Sequence, residues 1–203
     1  MSAKNAMDLI VNYVDADIFQ IADVFSADEC RELIARAEST GFQAATVRTA
    51  QGQKLLPNIR NNQRVNLHDN RLANQMFQRI QDVLPILDQQ SAVYADPKLR
   101  FYKYIPGQAF KRHRDGSVTD QQSRVSKLSY LIFLNQEFEG GFTTFSDHTF
   151  QDGVKHTKEQ TIVPATGSAL LFRHRRWHEG TRVTQGVKYV LRTDIFYQSS
   201  PEV

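Results

Sequence analysis

The chain has 203 residues, of which 40% are hydrophobic and 23% charged, and a formal net charge of +3. That length suits one domain with enough apolar side chains to build a core, and so small a net charge argues against a nucleic-acid partner. A single cysteine, Cys30, rules out an internal disulfide and a cysteine-based zinc site and fits a reducing, cytoplasmic setting; residues 1–21, interrupted by Asp8, Asp15 and Asp17, lack the apolar stretch of a signal peptide, and no run approaches the about 18 apolar residues of a membrane span.

Ile18 to Val24 is predicted as a short strand. Ser26-Ala-Asp-Glu29 reads as a capping box, in which the serine accepts from a first-turn amide and the glutamate reaches back. The helix it opens carries Cys30, Leu33, Ile34 and Ala37 on one stripe and closes near Gly41. Residues 49–63 are polar, hold Gly52 and Pro57, and read as a loop. Asp69 or Asn70 opens a second helix through Leu72, Met76, Phe77, Ile80 and Leu84, which Pro85 ends. From Leu99 the pattern changes. Short runs rich in Val, Ile, Phe and Tyr, at 99–105, 126–135, 142–146, 160–163, 168–172 and 187–197, alternate with turn residues, which argues for a sandwich or barrel. Between two of these runs, residues 147–160 hold Asp147, His148, Asp152, Gly153, Lys155, His156 and Lys158; they are expected to form a mobile loop at the mouth of a site. The expected organisation is a single domain, 1–203, with 1–98 a helical N-terminal elaboration with supporting strands and 99–197 the β core.

The chemistry concentrates in His113-Arg114-Asp115, answered 65 residues later by His178. In an extended segment residues i and i+2 point to the same side, so His113 and Asp115 can grip one ion from one strand end. With His178 from a distant strand they make two imidazoles and a carboxylate. Such a set covers one face of an octahedral metal and leaves three positions open, the facial triad of non-haem Fe(II) oxygenases.

The surroundings extend the pattern. Tyr104-Ile-Pro-Gly107-Gln-Ala-Phe110 leads into His113-Arg-Asp115. Tyr130-Leu-Ile-Phe-Leu-Asn135, Phe138-Glu-Gly140-Gly141-Phe-Thr143-Thr-Phe145 and Gly167-Ser-Ala-Leu-Leu-Phe172 follow. His178-Glu-Gly-Thr-Arg-Val-Thr-Gln-Gly-Val-Lys188-Tyr closes the series. These pieces, in this order over roughly residues 99 to 197, resemble the Fe(II)- and 2-oxoglutarate-dependent dioxygenases, in their prolyl 4-hydroxylase-like branch. The resemblance implies a mainly β fold with N-terminal helices: a double-stranded β-helix (jelly-roll) core with helices packed on one sheet. It implies Fe(II) on His113, Asp115 and His178, 2-oxoglutarate as cosubstrate, and ascorbate as a further candidate cofactor. The activity implied is hydroxylation of a C–H bond in a peptidyl proline, an amino acid or a small molecule, with release of succinate and CO2. It does not reach the substrate, which segments 44–66 and 147–160 are expected to select. A nucleic-acid dealkylase of the same superfamily is the second reading. A non-catalytic jelly-roll that binds a ligand or partner is the third.

Lys188 lies in the apolar run Val187-Lys188-Tyr189-Val190-Leu191, which reads as a buried strand. A lysine buried there needs an anion, because an isolated buried charge is costly. The resemblance supplies one, the distal carboxylate of 2-oxoglutarate. Arg192, four residues on, shares the strand face of Lys188 and could bind a carboxylate as a fork; it is the second choice as anchor, or a substrate contact, or a partner of Asp194. Tyr102 and Tyr104 alternate on one strand and face one side. The resemblance implies that Tyr104 donates its hydroxyl to the cosubstrate, and Tyr102 and Thr143 are weighed for that role against plain core filling. Gly140-Gly141 reads as a tight turn with positive φ. Arg173-His174-Arg175-Arg176-Trp177 reads as a solvated charged face or as a basic, aromatic rim over the site, to which Arg112 and Arg114 would add. His68, His148, His156 and His174 read as surface residues, and Cys30 as an inert apolar helix residue.

Overall fold

The computed structural model describes residues 9–152 and 154–199. In chain order its elements are β1 (Val11–Asp15), β2 (Ile18–Ile21), α1 (Ala27–Thr40), β3 (Gln43–Ala44), β4 (Val47–Thr49), β5 (Gly52–Lys54), β6 (Gln63–His68), α2 (Asn70–Gln78), β7 (Gln90–Ala95), β8 (Lys98–Tyr104) and β9 (Phe110–His113). There follow β10 (Val125–Phe133), β11 (Phe138–Gly140), β12 (Thr143–Gln151), β13 (Val154–Ile162), β14 (Ala169–Arg173), β15 (His178–Gly180), β16 (Val183–Gly186) and β17 (Lys188–Ser199). The described residues are mainly β with two α-helices, consistent with a jelly-roll oxygenase fold.

A large antiparallel sheet runs in the order β1-β2-β14-β10-β17-β8-β6-β3, with β7 also on β17. A smaller sheet runs β13-β12-β15-β9. Alternation along the large sheet sorts its side chains into two cores. Leu99, Phe101, Leu128, Tyr130, Ile132, Leu171, Leu191 and Ile195 pack with Cys30, Leu33 and Ala37 of α1 and Leu72, Ala73 and Met76 of α2. The opposite face sends Tyr102, Tyr104, Phe133, Leu170, Phe172 and Val190 toward Phe145 and Ile162 of the smaller sheet. The β17 positions 188, 190 and 192 therefore point between the sheets while 189 and 191 point at the helices.

Local chemistry accounts for the helix ends. Ser26 accepts from the Glu29 amide and Glu29 returns to the Ser26 amide, so the capping box is present, and Gly41 closes α1 at φ +92°. The second helix is shorter than predicted. It ends at Gln78, the Ile80 amide bonds back three residues to Phe77, and a 3-10 turn carries the chain over Gln81–Val83. Arg79 is drawn away there to Glu29 and the Val24 carbonyl.

Three expectations need correction. Residues 147–160 are not a loop: they belong to the β12–β13 hairpin, with pairs such as Asp147 with Lys158 and His148 with Thr157. At successive positions from His156 to Glu159 its side chains are exposed, so the ribbon stands clear on both faces and charge density misled the reading; Gly153 lies outside the described residues. The stretch 49–63 is in part a small hairpin, β4 on β5. The strand read as Ile18 to Val24 stops at Ile21, where the chain turns through Asp23 at φ +51°, and its antiparallel partner β1 was not anticipated. The signal-peptide reading of residues 1–21 falls partly on residues 1–8, which lie outside the described residues. Among the described residues no helix is long and apolar enough to cross a membrane.

Candidate functional site

His113 ends β9 and His178 begins β15, and the two are direct cross-strand partners. Their rings sit 4.2 Å apart between centroids. Asp115, just past β9, is held by its own amide on the His174 carbonyl at 3.2 Å. Its Oδ1 lies 3.7 Å from Nε2 of His113 and its Oδ2 3.7 Å from Nε2 of His178. One ligand atom from each of the three residues falls within 4.8 Å of the others.

The imidazoles are oriented for this. Nδ1 of His113 lies 2.9 Å from the Lys111 carbonyl and Nδ1 of His178 lies 3.0 Å from the Arg176 carbonyl. A carbonyl only accepts, so each Nδ1 carries the proton and each Nε2 turns its lone pair to the common centre, the usual arrangement behind metal-binding histidines. Burial, and then the charge of His178, pushes the His113 pKa down to about 3. Burial also lowers that of His178. Both are neutral bases at ordinary pH, as metal ligation requires. Burial alone would raise the pKa of Asp115, but Arg192 and then the two histidines overcome it and keep the carboxylate ionised.

Behind the triad runs a polar network. Arg192 donates to Asp115 Oδ1 at 2.8 Å and to Asp194 Oδ1 at 3.0 Å, and Arg100 holds the other oxygen of Asp194 at 3.1 Å. Ser129 gives its hydroxyl proton to Asp115 Oδ2 at 2.5 Å. Having only one proton, Ser129 must accept from Nδ1 of His174 at 3.1 Å, which leaves Nε2 of His174 to accept from Ser126 at 3.2 Å. His174 is 6% exposed, so the expectation of a surface histidine is overturned. The missed signal was Ser126-Lys-Leu-Ser129, two hydroxyls on a strand that otherwise buries large apolar side chains.

A pocket of about 430 Å³ opens from the triad and is lined by Tyr102, Tyr104, Thr143, Lys188 and Arg192 among others. All five residues singled out beside the triad thus reach it. Lys188 and Tyr104 are cross-strand partners, and the ammonium sits 5.5 Å from the Tyr104 ring centroid. Nζ of Lys188 donates to the Gly141 carbonyl at 2.5 Å and meets no carboxylate among the described residues. With the side chain 3% exposed, burial lowers its pKa to about 7. Gly141 makes room for it. At φ +62° a Cβ there would stand 3.3 Å from Cδ of Lys188 and 2.9 Å from Cγ2 of Val183, so the glycine pair does more than turn the chain. Arg60, not anticipated, is 5% exposed and lies over the rings of Tyr102 at 4.4 Å and Phe110 at 4.3 Å.

The arginine run before His178 is largely engaged: Arg173 pairs with Asp88, Arg175 with Asp17, and Arg176 with Asp15 and Asp147. His68, His148 and His156 are exposed, as expected.

The family model of the 2OG-Fe(II) oxygenase superfamily matches residues 99–193, the stretch that holds every one of the five predicted pocket residues and the triad. Among curated proteins none matches the chain in sequence. Solved structures do match in fold. The viral collagen prolyl hydroxylase of Paramecium Bursaria Chlorella virus-1, in its 2OG complex, is 19% identical with a TM-score of 0.56, over 88% of this chain and 95% of that one. A Pseudomonas putida prolyl-4-hydroxylase is 21% identical with a TM-score of 0.57, over 88% and 91%. The prolyl hydroxylase from Trichoplax adhaerens, in complex with a hypoxia inducible factor oxygen degradation domain peptide fragment, is 16% identical with a TM-score of 0.66, over 89% and 83%. Residues 99–193, just under half of the chain, thus carry the pattern of the 2OG-Fe(II) oxygenase superfamily.

Proposed function

We propose that this chain is a member of the 2OG-Fe(II) oxygenase superfamily, a prolyl 4-hydroxylase-like dioxygenase that hydroxylates a C–H bond of a peptidyl proline, an amino acid or a small molecule. Fe(II) would be held by Nε2 of His113, Nε2 of His178 and a carboxylate oxygen of Asp115. 2-Oxoglutarate would occupy the adjoining pocket, its distal carboxylate on Lys188. The observation that carries this is the ammonium of Lys188: buried, without a carboxylate partner, and in one pocket with three convergent metal-ligand atoms. Uncompensated buried charge of that kind is tolerated where an anion arrives to neutralise it.

When bound, the iron would supply the oxidising chemistry with dioxygen as oxidant: one oxygen atom goes to the substrate C–H bond and the other to the carboxylate of succinate, as 2-oxoglutarate loses CO2. The chain's own residues prepare for it. Arg192 and Ser129 occupy one lone pair on each oxygen of Asp115, which limits how the carboxylate can turn. The carbonyls of Lys111 and Arg176 keep Nε2 of each histidine free of its proton. Tyr104 is placed to offer its hydroxyl to the cosubstrate beside Lys188, with Thr143 and Tyr102 on the same walls. Phe110, Leu131, Phe172 and Val190 keep the pocket dry. Arg192, neutralised by Asp115 and Asp194, serves the triad rather than the cosubstrate, which leaves Lys188 as the anchor.

The two facing sheets support a double-stranded β-helix reading, with 99–197 the oxygenase core and 1–98 its elaboration within one domain. A cytoplasmic setting and the use of ascorbate complete the proposal. The complex of the Trichoplax adhaerens relative with a peptide favours a peptide among the substrate classes. The test is succinate formation with Fe(II) and 2-oxoglutarate across proline-containing peptides, free amino acids and alkylated oligonucleotides. Succinate that rises with a peptide or amino acid is expected. Turnover confined to the oligonucleotide would move the chain to the dealkylases, and absence of both Mn(II) binding and succinate would remove the enzyme reading.

A further inference from the structure

His113 and Asp115 line not only the Lys188 pocket but also a wide groove on the protein surface. The groove has about 1520 Å³ of open space and its walls include Arg112, Arg114, Lys127, Arg173, Arg175 and Trp177. The carboxylates that line it are Asp88 and Asp115. Asp115 belongs to the triad. Asp88 alone serves two cations, Lys127 at 2.7 Å and Arg173 at 2.9 Å. Arg112 and Arg114, on either side of His113, meet no carboxylate among the described residues. Arg112 donates to the hydroxyl and carbonyl of Ser146 at 2.7 and 3.0 Å, and both guanidinium groups lie over the Trp177 ring, at 4.2 and 4.7 Å from its centroid.

We infer that this groove binds an acidic peptide segment and presents the residue to be oxidised to the triad. The inference rests on the proposed oxygenase reading and narrows its substrate class. Charge complementarity carries it. A cleft lined mainly by one sign of charge focuses its field and concentrates ligands of the opposite sign. The unmatched cations flank a metal ligand, so a carboxylate near the reacting residue would fix its register. The groove is broad and open, whereas small-molecule sites enclose most of their ligand. Its cations are spread over the His113 segment, β10 and the segment before His178, which suits an extended chain. A nucleic acid fits less well. Its bases would need a free aromatic face, and Trp177, the one tryptophan of the sequence, is already covered by two guanidinium groups.

The test is fluorescence anisotropy with the full chain, Mn(II) and 2-oxoglutarate. The probes are short labelled peptides of alternating glutamate and proline, of glutamine and proline, and a single-stranded oligonucleotide of equal length. The glutamate peptide should bind, and salt should weaken it; the glutamine peptide should bind far less. Arg114→Glu, at an exposed position outside the proposed iron and cosubstrate contacts, should weaken the glutamate peptide about five- to tenfold. Arg71→Glu on α2, the same charge change on the far side of the large sheet, should leave it within about twofold. Mn(II) titration of each variant checks that the triad is intact. Equal affinity of the two peptides, equal loss in the two variants, or tighter binding of the oligonucleotide would each overturn the inference. Because binding is read without turnover, a failed succinate assay beside retained peptide binding removes the oxygenase reading alone.

Discussion

Arg192 Nη1 donates to Asp115 Oδ1 at 2.8 Å, which binds a residue of the large sheet to a carboxylate beside the smaller one, where both are almost fully buried. The pair has two consequences. Without metal, Arg192 is the main compensation for the Asp115 charge. With metal, the ion takes over much of that task. Arg192→Met should therefore destabilise the metal-free protein by about 3–5 kcal/mol, the usual effect of orphaning one member of a buried pair. Mn(II) should restore a larger share of stability to the variant than it adds to the parent. Urea denaturation with and without Mn(II) measures both, and an equal metal effect in the two proteins would contradict this account.

The depressed histidine pKa values bear on metal uptake. Protons compete with a metal only below the pKa of the ligand. For His113 that is about 3 instead of the ordinary value near 6.5, and His178 moves in the same direction. Mn(II) affinity should stay nearly constant from about pH 8 to pH 5, where an exposed histidine pair would lose more than tenfold. Titration calorimetry across that range decides it. His178→Ala should abolish stoichiometric binding at every pH, and retention of full affinity would remove His178 from the ligand set.

As the proposed anchor, Lys188 should give the opposite dependence for the cosubstrate. Its pKa of about 7 is lowered by burial, and only the protonated form attracts a carboxylate. Affinity for 2-oxoglutarate, measured on the Mn(II) protein, should be flat below pH 7 and fall about tenfold per unit above it, until the raised pKa of the bound state is passed. Lys188→Ala should cost about 2–5 kcal/mol, a rise of about 30-fold to several thousand-fold in Kd, without loss of metal. Should Arg192→Met produce that rise instead, the anchor is Arg192.

Much of the site was legible because its logic is local or periodic. His113 and Asp115 announce themselves by i, i+2 spacing, and Lys188 by being a cation inside an apolar strand. Strand alternation also puts Lys188 and Arg192 on one face of their strand and Tyr102 with Tyr104 on one face of theirs, and both relationships hold; that the two strands pair directly is seen only in the fold. The partners that tune these residues were not legible, since they come from elements far apart in sequence. Nothing local shows that Ser129 and His174 meet, 45 residues apart, or that Arg60 reaches Tyr102. Charge density also reads the same in a loop and on a ribbon exposed on both faces, which is why residues 147–160 read as a loop while the flanking runs at 142–146 and 160–163 read as strands. Arg192 shows the limit most clearly: sequence offered it three roles, and only the fold brings Asp115 to it.

Gly141 offers a test of Lys188 that leaves its charge in place. The glycine is at φ +62°, in the left-handed region, and its carbonyl accepts from Nζ of Lys188. A Cβ would stand 2.9 Å from Cγ2 of Val183, 3.2 Å from Cε2 of Phe138 and 3.3 Å from Cδ of Lys188, so Gly141→Ala brings backbone strain and three close contacts at once. The expected loss of stability is about 1–3 kcal/mol. Val183 and Phe138 must give way as well, but of the three side chains that of Lys188 is the longest and most flexible, so it should shift with them. The ammonium then leaves its carbonyl and its alignment with Tyr104. Affinity for 2-oxoglutarate should drop by about tenfold or more, as for a charged contact displaced from its place. Mn(II) affinity should not change, because the triad is carried by β9, β15 and the segment after β9. Loss of metal together with cosubstrate would mean that the strain spreads through the smaller sheet. Unchanged 2-oxoglutarate affinity in a folded Gly141→Ala variant would mean that the position of the Lys188 side chain does not govern cosubstrate binding.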